Sequence, residues 1–145
     1  MKITTRSFGE IEVSEDKIIT FEEGIPGFES LQRFIILESE EGAFHYLQSV
    51  DNGDVRFVIA DPYQLIKEYA PVINESYFEK LGGGNNEEFA VYSVVCFREP
   101  IDESTINLAG PILIQTEYRK GIQVITEDKK YSPRHKFISQ EDGGK

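Results

Sequence analysis

Few side chains in this 145-residue chain are of the kinds that make or break bonds. The only cysteine is Cys96, and the only imidazoles are His45 and His135. A reactive thiol needs exposure and a cationic neighbour to lower its pKa. Cys96 sits inside the apolar run Phe89–Phe97, which predicts a buried structural residue. His45 lies between Phe44 and Tyr46 in a strand-like stretch, and His135 lies in a basic tail. Neither has a Cys or second His at metal-ligand spacing. No nucleophile elbow is present. The glycines at 82–84 lack the Lys-Ser/Thr of a phosphate loop and follow a helix-like segment, so loop freedom is the expected role. With 26 Asp and Glu, no carboxylate pair stands out as an acid–base couple. The expectation is a chain with no catalytic residue, no metal ligand and no cofactor.

A different chemistry is better represented. Aromatic residues stand beside carboxylates in Phe21-Glu-Glu-Gly-Ile-Pro-Gly-Phe-Glu29 and from Asp61-Pro-Tyr63 through Glu68-Tyr69. Aromatic anchors with a charged rim suit a protein interface. The competing reading is that Phe21, Ile25 and Phe28 plug the end of a barrel. Pro62 and Pro71 disfavour strand pairing, which predicts an exposed crossing between them. The residues expected to contact a partner are Phe28, Glu29, Tyr63, Glu68 and Tyr69.

These segments must be carried by strands. Phe8-Gly-Glu-Ile-Glu-Val13 alternates apolar and acidic residues, and Lys17-Ile-Ile-Thr-Phe21 is a second short strand. Phe34–Leu37 and Phe89–Phe97 are apolar on both faces, which predicts central strands lying between other layers. Phe44–Val50 and Val55–Ala60 flank Asp51-Asn-Gly-Asp54, and Asn-Gly predicts a type I′ hairpin turn. A last hairpin pairs Ile112–Glu117 with Ile122–Thr126 around Tyr118-Arg-Lys-Gly121. Helix is scarce. Asn74–Gly82 has an Asn cap, an acidic first turn and a Gly stop, while Pro62–Tyr69 offers one further turn. Asn107 is expected to satisfy a turn, and Gly24 and Gly27 to shape one around Pro26. The fold expected is all-β, mainly antiparallel: a small single-domain β-barrel over residues 1–138 with one or two short helices. Residues 139–145 read as a flexible polar tail.

Charge narrows the range of partners. Lys and Arg total 15 against 26 Asp and Glu, a net −11. Residues 127–145 carry five basic and four acidic side chains, so residues 1–126 hold −12. Such a body repels nucleic acid and anionic lipid, and attracts a basic protein. The start of the chain is polar and no apolar run reaches the length of a membrane span, so a soluble cytoplasmic protein is expected.

The segments above also occur in the order and spacing of a known family. Phe21-Glu-Glu-Gly-Ile-Pro-Gly-Phe-Glu29 resembles the most characteristic stretch of the FliW family of flagellar assembly factors. Leu47-Gln-Ser49, Phe57-Val-Ile with Asp61-Pro62, and Ser104-Thr-Ile-Asn-Leu-Ala-Gly-Pro-Ile112 follow. Gly121-Ile-Gln-Val124 and Tyr131-Ser-Pro-Arg-His135 complete the likeness, which spans about residues 1–138. The resemblance implies a β-barrel-like regulator without catalytic activity, monomeric when free, that switches between two partners. These are cytoplasmic flagellin and the RNA-binding translational repressor CsrA, which it antagonises once flagellin has left it. Two alternatives stand beside it: a small-ligand-binding β-barrel and, given the resemblance, a structural component of the flagellar export apparatus.

Overall fold

Alternation along the apolar stretches produces a sheet that closes on itself. The structure, a computed structural model, describes residues 1–39 and 42–138; the tail expected at 139–145 lies outside them. The strands are β1 (Lys2–Thr5), β2 (Gly9–Glu12), β3 (Ile19–Thr20), β4 (Arg33–Glu38), β5 (Phe44–Ser49) and β6 (Arg56–Ala60). They continue with β7 (Phe89–Cys96), β8 (Thr105–Ile106), β9 (Ile112–Gln115), β10 (Lys120–Gln123) and β11 (His135–Lys136). Seven of them, β3, β4, β5, β6, β7, β9 and β10, close into a barrel, as expected of an all-β chain. Every pairing within it is antiparallel except β3 with β10. One edge of β7 is shared: Phe89–Tyr92 pair with β9, and Val95 and Cys96 pair with β8. Helix is limited, among the described residues, to α1 (Pro62–Leu65), α2 (Glu75–Lys80) and three single 3-10 turns.

The two strands that are apolar on both faces owe this to covering layers. Inward, Phe34, Leu47, Ile59, Ile112 and Ile114 pack with Ile19, Phe21 and Ile25, all buried. Outward, Ile35 and Val50 lie under the β1–β2 hairpin, against Ile3 and Val13. The outer faces of β7, β9 and β10 lie under the segment from Asp61 to Leu81 that carries both helices. Its second helix starts as expected. Asn74 caps it by accepting a 2.9 Å hydrogen bond from the Ser76 amide, and Gly82 stops it at φ +101.

Two local expectations are overturned. The β5–β6 turn is not type I′, because neither Asn52 nor Gly53 takes a positive φ. The loop is wider, closed by Ser49 N–H to Val55 O at 3.0 Å and Val55 N–H to Asn52 O at 3.1 Å. Gly53 is needed for a long-range reason. A side-chain carbon there would lie 1.9 Å from the Thr4 carbonyl oxygen, and the Gly53 carbonyl accepts from Arg6 N–H at 3.0 Å. Cys96 is exposed, not buried. Alternation puts it on the inward side with Tyr92 and Val94, but it ends β7 and does not join the packed interior.

The crossing after β6 is fastened by Tyr69, which is 4% exposed. Its hydroxyl donates to the Leu108 carbonyl at 2.7 Å. The Tyr131 ring stands edge-on to it at 4.8 Å, and the Tyr131 hydroxyl accepts from Ala70 N–H at 2.8 Å. Burial, first, and the neighbouring Tyr63 and Tyr131 push the Tyr69 phenol well above its ordinary pKa. Tyr63 and Tyr92 shift the same way, again chiefly through burial.

Gly53→Ala should lower the unfolding free energy by about 2 kcal/mol, the range of overpacking against backbone. Asn52→Ala, which removes only a 3.0 Å bond to Asp54 N–H, should cost less than about 1 kcal/mol. Urea titrations of both variants would distinguish a docking glycine from a turn glycine. In Tyr69 the folded pKa exceeds the unfolded one. Its stabilisation is therefore complete below about pH 10, the ordinary tyrosine value, and is lost as pH rises beyond it. Tyr69→Phe should cost about 1–2 kcal/mol at neutral pH, leaving the Leu108 carbonyl unpaired, and should flatten the alkaline decline of the unfolding midpoint.

Candidate protein-binding surface

The candidate contact residues fall on two separate parts of the surface. Gly24 (φ +69) and Gly27 (φ +90) bend the chain around Pro26, as expected, and leave room for a close approach. A side-chain carbon at Gly24 would lie 2.5 Å from the Glu29 Cα. The bend buries Ile25 in the barrel end and leaves Phe28 half in, half out: 39% exposed, with its ring edge-on to Phe57 at 5.3 Å. Phe28 thus caps the barrel end and leaves part of its ring exposed. Glu29 is exposed and accepts a 3.0 Å hydrogen bond from the Gly27 amide, which holds its carboxyl below the usual pKa.

The second group follows the other end of β6. Asp61 caps α1 through a 2.9 Å bond from Tyr63 N–H, and Pro62 takes the first helical turn, where no amide is required. Tyr63 is 45% exposed, with its ring 5.6 Å from that of Tyr69. It lines a groove of about 440 Å³ with Asp61, Ile73, Phe78, Phe89 and Val91. Glu68 is exposed on the rim of a smaller hollow with Ile66, Lys130, Tyr131 and His135. Tyr69, expected to contact a partner, is instead a core residue. Its ring is turned inward because the hydroxyl reaches a carbonyl 39 residues away in sequence. Phe28 lies against the first part of β6 and Tyr63 follows its last residue, so the two groups do not form one patch.

The remaining chemistry-bearing side chains are tied into the fold. His45 Nδ1 accepts from Ser39 N–H at 3.2 Å. Asn107 Oδ1 accepts from the amides of Ala109 and Gly110 at 3.1 and 2.8 Å, the turn role expected of it. The three glycines at 82–84 all take positive φ. Among the described residues there is no group of three or more His, Cys, Asp or Glu placed to hold a metal ion. None of their helices is long and apolar enough to cross a membrane.

One exposed apolar feature had no signal in the sequence beyond the end of an apolar run. Phe97, 45% exposed, packs edge-on to Phe44 at 5.1 Å, with Phe137 at 6.4 Å. Ile101, more exposed still, lies in the same loop between β7 and β8.

Comparison with known proteins agrees with the barrel. A family model described as FliW protein matches residues 2–138. A flagellar assembly factor FliW from Caldicellulosiruptor bescii is 38% identical over 133 residues, covering 92% of this chain and 88% of its own. One from Caldanaerobacter subterraneus subsp. tengcongensis is 37% identical over 142 residues, covering 97% and 95%. A crystal structure of the flagellar assembly factor FliW superposes with a TM-score of 0.89 at 33% identity, covering 96% of this chain and 98% of the other. In sequence and in barrel architecture alike, this chain belongs to the FliW family of flagellar assembly factors.

Proposed function

We propose that this flagellar assembly factor works without catalysis, in the cytoplasm, as a protein that switches between two partners. It binds flagellin before export. When flagellin leaves, it binds the RNA-binding repressor CsrA and lifts repression of flagellin translation. The observation that carries this reading is the division of labour in the molecule. The barrel centre is filled by packed apolar side chains, while the outside is strongly acidic and presents half-exposed aromatic residues. A protein built this way acts through its surface. A repressor that grips RNA must be basic where it does so, and a body of this charge attracts it and disfavours RNA phosphates nearby.

The surfaces proposed for contact are Tyr63 with Glu68, and Phe28 with Glu29. Tyr69 contributes by fixing the crossing that carries Tyr63. Purified protein should form complexes with flagellin and with CsrA that exclude each other in size-exclusion chromatography; a stable ternary complex at saturation would overturn the switch. The double variant Tyr63→Ala with Glu68→Lys should fold and lose about tenfold or more in affinity for at least one partner, as truncation of an aromatic anchor does. Unchanged binding of both partners would place the contact elsewhere. Affinity for CsrA should fall between low and high salt, because exposed charges are screened.

A further inference from the structure

We infer that the open end of the barrel binds a small organic anion: a carboxylate carried on a compact apolar body. Opposite the end closed by Ile25 and Phe28, a cavity of about 400 Å³ opens between β3, β4, β7 and the β9–β10 turn. Its floor is apolar, with Ile36 and Ile114, and its rim carries Lys17, Arg119, Glu38 and Tyr92. Arg119 is held tightly. Its Nη2 donates to the Lys17 carbonyl at 2.6 Å, and its own carbonyl accepts from Thr20 N–H at 2.9 Å. Its backbone sits at φ +55, a left-handed conformation that glycine adopts freely and other residues rarely. Strained residues of this kind gather where a side chain must be aimed.

Arg119 Nε is buried and has no hydrogen-bond partner. An unpaired N–H on a charged group is unfavourable away from water, and a carboxylate is the acceptor that the guanidinium edge fits best. Among the lining side chains Lys17 and Arg119 stand against one carboxylate, Glu38, and Asp16 lies within electrostatic reach of both cations. The Tyr92 phenol, protonated at neutral pH like any tyrosine, lines the same cavity as a further donor. A bare phosphate would leave the apolar floor unused, since pockets of a few hundred Å³ take ligands with a body as well as a head group.

The test is a titration of ¹⁵N-labelled protein with phenylacetate, followed by amide signals and by the arginine Nε–Hε signal. Saturable shifts are expected at Lys17, Tyr92 and Arg119. Arg119→Gly keeps the positive φ, so it should fold, and it should bind about tenfold more weakly, the effect of one charge-assisted hydrogen bond. Glu38→Gln should bind about threefold more tightly by removing a like charge. Three results would overturn the assignment: no saturable shift at the mouth, equal affinity in Arg119→Gly and Glu38→Gln, or inorganic phosphate binding as tightly as phenylacetate. Neither flagellin nor CsrA is in the sample, so the outcome is independent of partner switching.

Discussion

The barrel depends on closing one short seam. β3 contributes only two residues, and its parallel partner β10 meets it at Thr20 and Lys120. What holds the seam is the ring of Phe21, fully buried, lying over Gly121. A side-chain carbon at 121 would be 2.6 Å from that ring, so the smallest residue and a large one occupy a single space. Phe21 also meets Phe34 edge-on at 5.4 Å, tying the seam to β4. An aromatic pair of this geometry contributes about 0.5–1.5 kcal/mol beyond its burial. Without this filling, the inner faces of the other strands would have no closed space to pack into.

Closure leaves outer faces that are also apolar, and these set where the surface chemistry can be. The N-terminal hairpin covers one side and the Asp61–Leu81 segment the other. Two exposed ion pairs, Lys80–Glu23 and Lys120–Glu22, stand where α2 meets the seam. Exposed pairs of this kind contribute little each, so the cover is held by its buried rings. Of the rings proposed for partner contact, Tyr63 belongs to the second cover and Phe28 to the barrel end, and each is half packed and half free. Such a ring is already oriented before binding, which reduces the entropy lost when a partner arrives.

The architecture was legible because strand patterning is local. Alternation at Ile11 and Val13 marked a strand, and the two-faced apolar runs of β4 and β7 marked these as central. The misreadings all have a long-range cause. Gly53 looks like a hairpin glycine, yet its constraint comes from Thr4. Cys96 shares an apolar run with better-covered residues, but composition does not reveal where the packed interior stops. The prolines around the crossing mark an irregular segment without showing that the Tyr69 ring turns inward to Leu108. Arg119 carries no signal at all, because a positive φ on a charged residue in a turn is invisible until the chain is folded.

The clasp between the crossing and the later chain also bears on biosynthesis. The loop bearing Tyr63 is made early. The Ala70 amide, however, has no Tyr131 hydroxyl to donate to, and the Leu108 amide no Ser132 carbonyl, until residues 131 and 132 leave the ribosome. A domain folds as a unit, so its structure waits for its last segments. A nascent or truncated chain therefore carries an unfinished crossing. The support beneath Tyr63 is completed only once the chain has been made as far as residue 132.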